Sequence, residues 1–392
     1  MKDHAAYIGM LIRNERLNRG LELKDAAEGI CAASYLCKIE LGQAVPSEAL
    51  LKDLLSRLDL DYEQDETFLH NLKLTIDRLY DGIFYRRDLQ RDLKYLGEHE
   101  ARVLNSPFRL SYLIILGYLN DRVHPELAAM VPYMDERELA VYILSSVSDE
   151  PRPQSDQLKK VHDLLQNSFS LLAYMQGCLR NNRFEELKSL GDQCFALALN
   201  EGNLYTLIRT SLLIGTGYAS EGHLTVASVY YERAAKLIKS SIWPGLESDI
   251  NYNLGATFLE LGNIEKAAEL LRKVPRSNGF SLFHKLAWLA LAQGDKAAAK
   301  RELAAMKKSM GKDRANMLIY EAAAMQLAPD YESKASSLET IEALIDCLKE
   351  TRHIGYLRFH RELITKVFIA HRQYKSAYAF ERMLGDYARK AE

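Results

Sequence analysis

Three kinds of catalytic signature are missing from these 392 residues. There is no Gly-x-x-x-x-Gly-Lys phosphate loop, no His-Glu-x-x-His zinc helix and no Gly-x-Ser-x-Gly nucleophile turn. Their absence removes the commonest routes to phosphoryl transfer, metalloproteolysis and serine hydrolysis. The chain reads as a binding protein rather than an enzyme, with no cofactor and no metal expected. The five cysteines include no Cys-x-x-Cys pair. They are expected to be reduced, buried thiols of a cytoplasmic protein. The longest apolar run, Tyr112–Leu119, is far shorter than the roughly 20 residues a membrane-spanning helix needs. Asp3 and His4 precede an amphipathic segment, so no signal-peptide pattern opens the sequence. Nine prolines and 21 glycines leave little room for disordered tracts. The formal net charge of −2 supplies no chain-wide field toward nucleic acid or membrane, although a local site needs no such field.

What is present is helix after helix. In Tyr7–Arg19, Ile8, Leu11, Ile12 and Leu17 are apolar, with Arg13, Glu15 and Arg16 between them. Gly20 stops this helix. Leu23–Glu28 is a short second helix ended by Gly29, and Ser34–Glu40 is a third ended by Gly42. Ser47 suits the N-cap of a fourth, Glu48–Leu58. Four short helices with Gly between the second and third fit a helix-turn-helix DNA-binding head over residues 1–62. Asp59–Asp65 is an acidic, polar junction.

From Phe68 onward helices are expected in pairs. Glu150-Pro151-Arg152-Pro153-Gln154-Ser155 is the one proline-rich interruption, a loop or joint. The clearest pattern follows in Leu204–Pro275. Gly215, Tyr218, Gly222, Ala227 and Tyr231 are matched by Gly255, Phe258, Gly262, Ala267 and Leu271. Seven residues separate the first glycine from the second in both units, and five separate that glycine from the alanine. Small residues belong where paired helices approach closely, and the turn glycine supplies a backbone angle that other residues resist. Gly294 and Ala299 continue the series.

This pattern resembles the tetratricopeptide repeat. A repeat of that kind cannot bury its apolar face alone, so a stack is implied over residues 63–392. The expected fold is all-α: a small helix-turn-helix domain, then a right-handed α-solenoid of tetratricopeptide-like helix pairs. The inner helices would line a concave groove with Gln176, Arg209, Thr216, Tyr252, Asn253, His284, Lys285 and Trp288. Such a mixture suits an extended peptide. Asn both donates and accepts, Arg and Lys suit a terminal carboxylate, and aromatic rings form pockets. His353 and His360, seven apart, could share one helix face, most simply as packed imidazoles rather than metal ligands.

The head resembles the Xre family of bacterial and phage repressor domains. The matching residues are Ile8-Gly9, Ile12-Arg13, Ala26-Ala27, Gly29-Ile30-Cys31, Ser34-Tyr35-Leu36, Ile39-Glu40, Gly42 and Pro46-Ser47. The candidate DNA contacts are Arg13, Arg16, Lys24, Ala33, Ser34, Lys38 and Gln43. Two observations pull the other way. Ala32 and Ala33 stand where base-reading side chains are usual, and residues 1–62 hold eight Lys and Arg against ten Asp and Glu.

An Xre-type head on a tetratricopeptide stack is similar to the RRNPP group of peptide-pheromone regulators, the PlcR- and NprR-like proteins. That resemblance implies a transcriptional regulator of quorum sensing, controlled by a short signalling peptide in the groove. It also implies inward asparagines for the peptide backbone, Asn253 and Asn316 here, a homodimer, and double-stranded DNA sites that are inverted repeats. The competing expectation is a protein-interaction adaptor, similar to the Rap-type relatives, that sequesters a partner and carries a vestigial head.

Overall fold

The computed structural model describes residues 2–60, 62–63, 65–147, 155–239 and 243–389. Residues 150–154 of the proline-rich interruption lie outside the described residues; Ser155 opens a helix, Ser155–Leu165. The chain is all-α, and the described residues contain no strand. It divides into two compact units. One comprises residues 1–149 with 157–166, the other 150–156 with 167–392.

In the first unit the head consists of helices Lys2–Asn18, Leu23–Ala27, Ala33–Glu40 and Glu48–Arg57. Each lies within a few residues of its expected place. The Ser47 hydroxyl accepts from the Leu50 amide at 3.4 Å, as an N-cap should. Ile12, Ala26, Leu36, Ile39, Leu54 and Leu58 form the core of the head. Gly9 is the residue that lets the first helix reach the third. A Cβ there would stand 1.9 Å from the Ile39 carbonyl oxygen, an impossible contact.

The acidic junction is pinned. Asp65 caps Glu66–Tyr85 by accepting from the Thr67 and Phe68 amides. Arg102 binds Glu63 and Asp65, and the Glu63 amide donates to the Asn105 carbonyl at 2.7 Å. These bonds explain why the head groups with helices Glu66–Tyr85 through Ser155–Leu165 in one unit, although composition suggested a joint at 59–65.

The second unit is built from helix pairs. Leu204–Glu221 pairs with Leu224–Ile238, Pro244–Glu260 with Ile264–Lys273, and Phe280–Ala292 with Lys296–Ser309. The reason is visible at two equivalent positions. A Cβ at Gly215 would meet the Tyr231 ring at 2.7 Å, and one at Gly255 would meet Leu271 at 2.7 Å. Only glycine lets the two helices of these two pairs come this close. Ala227, Ala267 and Ala299 are fully buried at matching places in the second helices. Gly222, Gly262 and Gly294 turn the chain with positive φ. In the weaker repeat upstream, the expected single helix from Phe184 is two, Phe184–Ser189 and Gly191–Asn200.

Candidate functional site

Two surfaces bear on binding, one in each unit, and each is described by itself. In the head, Ala33–Glu40 turns Leu36 and Ile39 inward and leaves Ser34, Tyr35 and Lys38 exposed. That division follows the helical period, since residues 34 and 38 share the outward face. Arg13, Lys24 and Gln43 are exposed as well, and Ala33 is half-buried. The Tyr35 hydroxyl donates to the Val45 carbonyl at 3.3 Å, tying the helix to the loop behind it. Lys24 lies 3.2 Å from Glu22, both on the surface, so the pair constrains the lysine little.

Arg16 differs from the expectation for it. Its guanidinium is buried, with Nε 2.6 Å and Nη2 2.8 Å from the two carboxylate oxygens of Glu40, while Nη1 donates to the Leu21 carbonyl at 2.8 Å. The fork is fully used inside the head, so Arg16 is a strut rather than a phosphate contact. The Glu40 hydrogen bonds raise the Arg16 pKa further.

In the second unit the first helices of the repeats form an inner wall, but part of that wall is covered by the chain's own Gly355–Phe359 and its flanks. The Ile354 amide donates to the Asn182 side chain at 2.8 Å, and Arg358 Nε donates to the Ser220 carbonyl at 2.8 Å. His284 and Lys285, expected on an open wall, are buried here. The His284 and His360 rings stack at 5.1 Å and 8°. Trp288 stands edge-on to both at 5.0 Å. Lys285 Nζ lies 2.8 Å from the centroid of the Phe359 ring. His360 Nδ1 donates to the Tyr356 carbonyl at 2.7 Å, whereas Nε2 of His284 and of His360 are buried without a hydrogen-bond partner. Burial pushes His360 down to about 3 and holds His284 well below the ordinary imidazole range. His353 faces elsewhere, with Nδ1 3.2 Å from the Ser220 hydroxyl, so the two histidines seven apart form no joint site.

Beside this plug a trough of about 470 Å³ remains, bounded by Glu260, Trp288, Tyr331, Arg358, Arg361 and Lys366 among others. Burial lowers the Lys285 ammonium, against the pull of Glu260. Enclosure raises Glu260, against Lys285 and Arg358. Glu260 is walled in by the repeats yet its side chain is open to water, so solvent limits that rise. The trough therefore offers two carboxylates, Glu260 and Glu362, three cations and three aromatic rings, with Glu362 already 2.6 Å from Lys366.

Of the expected groove residues, Trp288 alone borders this trough. Arg209 is paired with Asp249 at 2.8 Å. Thr216 donates to the Leu212 carbonyl and accepts from the Tyr231 hydroxyl. The Asn253 amide donates to the Asp249 carbonyl of its own helix, and that of Asn316 to the Met310 carbonyl. Gln176 and Tyr252 are half-buried. Arg358, Arg361 and Lys366 were not singled out from the sequence. Arg358 and Arg361 fall between recognisable repeats and Lys366 inside the last recognisable pair, and only the basic spacing of 358, 361 and 366 hints at a common side.

No family model and no curated protein matches the chain. Among solved structures it is similar to the crystal structure of Bacillus thuringiensis PlcR in complex with the peptide PapR7 and DNA. Identity is 15%, coverage is 76% of this chain and 99% of that chain, and the TM-score is 0.34. At that level no residue's role passes from that protein to this one. Among the described residues no group of three or more His, Cys, Asp or Glu side chains is placed to hold a metal ion, and no helix is long and apolar enough to cross a membrane.

Proposed function

We propose that the chain is a DNA-binding transcriptional regulator, with Ala33–Glu40 as its recognition helix and the trough of the second unit as the seat of a controlling peptide. One observation carries the reading. Ser34 and Lys38 share the exposed face of a helix that is fixed from behind by the Gly9 approach and the Arg16–Glu40 fork. A rigidly held short helix with polar side chains outward is what major-groove entry requires. Arg13, Lys24 and Gln43 flank it as candidate phosphate or base contacts, and Ala33 offers a methyl to a thymine. Arg16 is left out of the set.

The peptide part rests on the trough's chemistry. Arg358, Arg361 and Lys366 suit a carboxylate, Glu260 suits an amine, and Trp288 and Tyr331 suit an apolar side chain. Gly355–Phe359 shortens the site available, so a short peptide fits this reading better than a long one laid along the whole inner wall. Quorum sensing, cytoplasmic location, a homodimer and an inverted-repeat operator belong to the same proposal.

Selection from random-sequence duplex DNA by the full chain at low salt tests it. Enrichment of an inverted repeat, lost on Lys38→Glu, is expected. No enriched sequence at low salt would end the regulator reading. The internal use of Arg16 and the acidic balance of the head favour the second reading, a peptide-binding adaptor. In that case Lys38→Glu leaves partner capture unchanged and no operator emerges.

A further inference from the structure

The first unit contains a cavity that the DNA reading does not use. It measures about 640 Å³, within the range of small-molecule sites. Ile8, Pro46, Leu51, Leu69, Ile76 and Leu110 supply apolar walls from both the head and the helices that follow it. Three phenols, Tyr7, Tyr62 and Tyr133, complete the lining, and the first two bury their hydroxyls unpaired. Tyr7 is 2% exposed, and its hydroxyl has no hydrogen-bond partner. The Tyr62 hydroxyl is also buried without a partner.

Leaving a buried hydroxyl unpaired is costly, and two at one cavity call for a ligand or water to complete them. The buried or half-buried ionic groups in the lining, Asp77, Asp135, Arg137 and Glu138, are already engaged. Arg137 pairs with Asp77 at 2.9 Å and lies over the Tyr80 ring. Glu138 accepts from the Ser111 hydroxyl and from the Asp135 amide at 3.1 Å, and its own amide donates to Asp135 Oδ1 at 2.7 Å. His70 and Lys73 are exposed. Burial pushes the Tyr7 and Tyr62 phenols well above their ordinary range, so they stay neutral donors and acceptors.

We infer that this cavity is a binding site for a small, uncharged, mainly apolar molecule carrying a hydrogen-bonding oxygen, as an alcohol or ketone does. Its oxygen pairs with the Tyr7 and Tyr62 hydroxyls, and its carbon skeleton fills the apolar walls. Val45 and Pro46, in the turn after the exposed helix, line the same cavity, so occupancy bears on that turn. The inference stands whether or not the head binds DNA.

The test uses the full chain with 1-octanol as probe, and octane-1-sulfonate and octylamine as charged counterparts. Saturation-transfer NMR reads binding, and melting temperature reads the fold. Saturable octanol binding is expected, weakened about 5-fold or more by Tyr7→Phe and by Tyr62→Phe. Each substitution should leave the melting temperature unchanged or raise it, because it removes an unpaired hydroxyl. Three results overturn the inference. One is absence of saturable binding up to the solubility of octanol. Another is equal affinity in the wild type and both phenylalanine variants, which means the probe sits elsewhere or water alone satisfies the phenols. The third is tighter binding of either charged counterpart.

Discussion

Two buried polar clusters, one in each unit, are built in opposite ways. In the head, Arg16 and Glu40 meet as a two-pronged pair, and the remaining guanidinium nitrogen finds the Leu21 carbonyl. In the second unit, His284 and His360 are stacked face to face with Nε2 of each unpartnered and Lys285 over a ring. The first arrangement is satisfied and exact in its geometry, and it holds the exposed helix in place. The second is held by ring packing and the one bond from His360 to the Tyr356 carbonyl, and is sensitive to charge. A paired buried site costs most when one partner is removed, whereas an unpaired neutral site costs most when it is forced to ionise.

The largest expected effect is on the paired side. Arg16→Ala leaves Glu40 buried without a counter-charge and should cost about 3–5 kcal/mol, read by urea unfolding. The double change Arg16→Met with Glu40→Met should recover most of that loss. If Arg16→Ala costs less than about 1 kcal/mol, the two sites do not differ as described.

The unpaired side gives a pH dependence. In the unfolded chain both imidazoles titrate near 6.5, about the ordinary histidine value. In the fold they stay neutral far below that, His360 to about 3. Below pH about 6.5 the unfolded state therefore binds more protons, and stability that is complete above this pH is lost as pH falls. The slope approaches about 1.4 kcal/mol per pH unit for each neutral imidazole. His360→Phe should remove one share of it between pH 6.5 and 5. An unchanged slope would mean that the His284–His360 stack opens before it is protonated.

A third change should leave both sites alone. Arg361 pairs with Glu381 at 2.7 Å but is mostly exposed, so Arg361→Ala should shift stability by no more than about 1 kcal/mol. Because Arg361 borders the trough, the same variant should weaken binding of a short peptide ending in a free carboxylate, measured by calorimetry. A large stability loss with unchanged peptide affinity would make it a structural residue.

Local pattern made much of the fold legible. The head's helices follow from apolar spacing and from Gly20, Gly29 and Gly42. The tandem pairs follow from Gly215 and Gly255, whose missing side chains face Tyr231 and Leu271. The return of Gly355–Phe359 onto the inner wall left no such trace. The bonds of Arg358 to Ser220 and of the flanking Ile354 to Asn182 join residues more than a hundred positions apart, and no period encodes such a contact. Hence the wall residues His284 and Lys285 looked open and Arg358 was passed over. Arg16 carried a weak signal. It lies four residues beyond buried Ile12, on the stripe facing the core, so its charge needed an internal partner. The cavity beside Tyr7 and Tyr62 draws on five separate stretches of chain and could not be read from any one of them.

The central claim is that the face of Ser34 and Lys38 meets duplex DNA. The most direct measurement is the affinity of the full chain for the selected duplex as a function of salt. The logarithm of the association constant should fall linearly with the logarithm of salt, and Lys38→Gln should reduce the magnitude of that slope by about one. An identical slope in the variant, or no binding even at the lowest salt, contradicts the account.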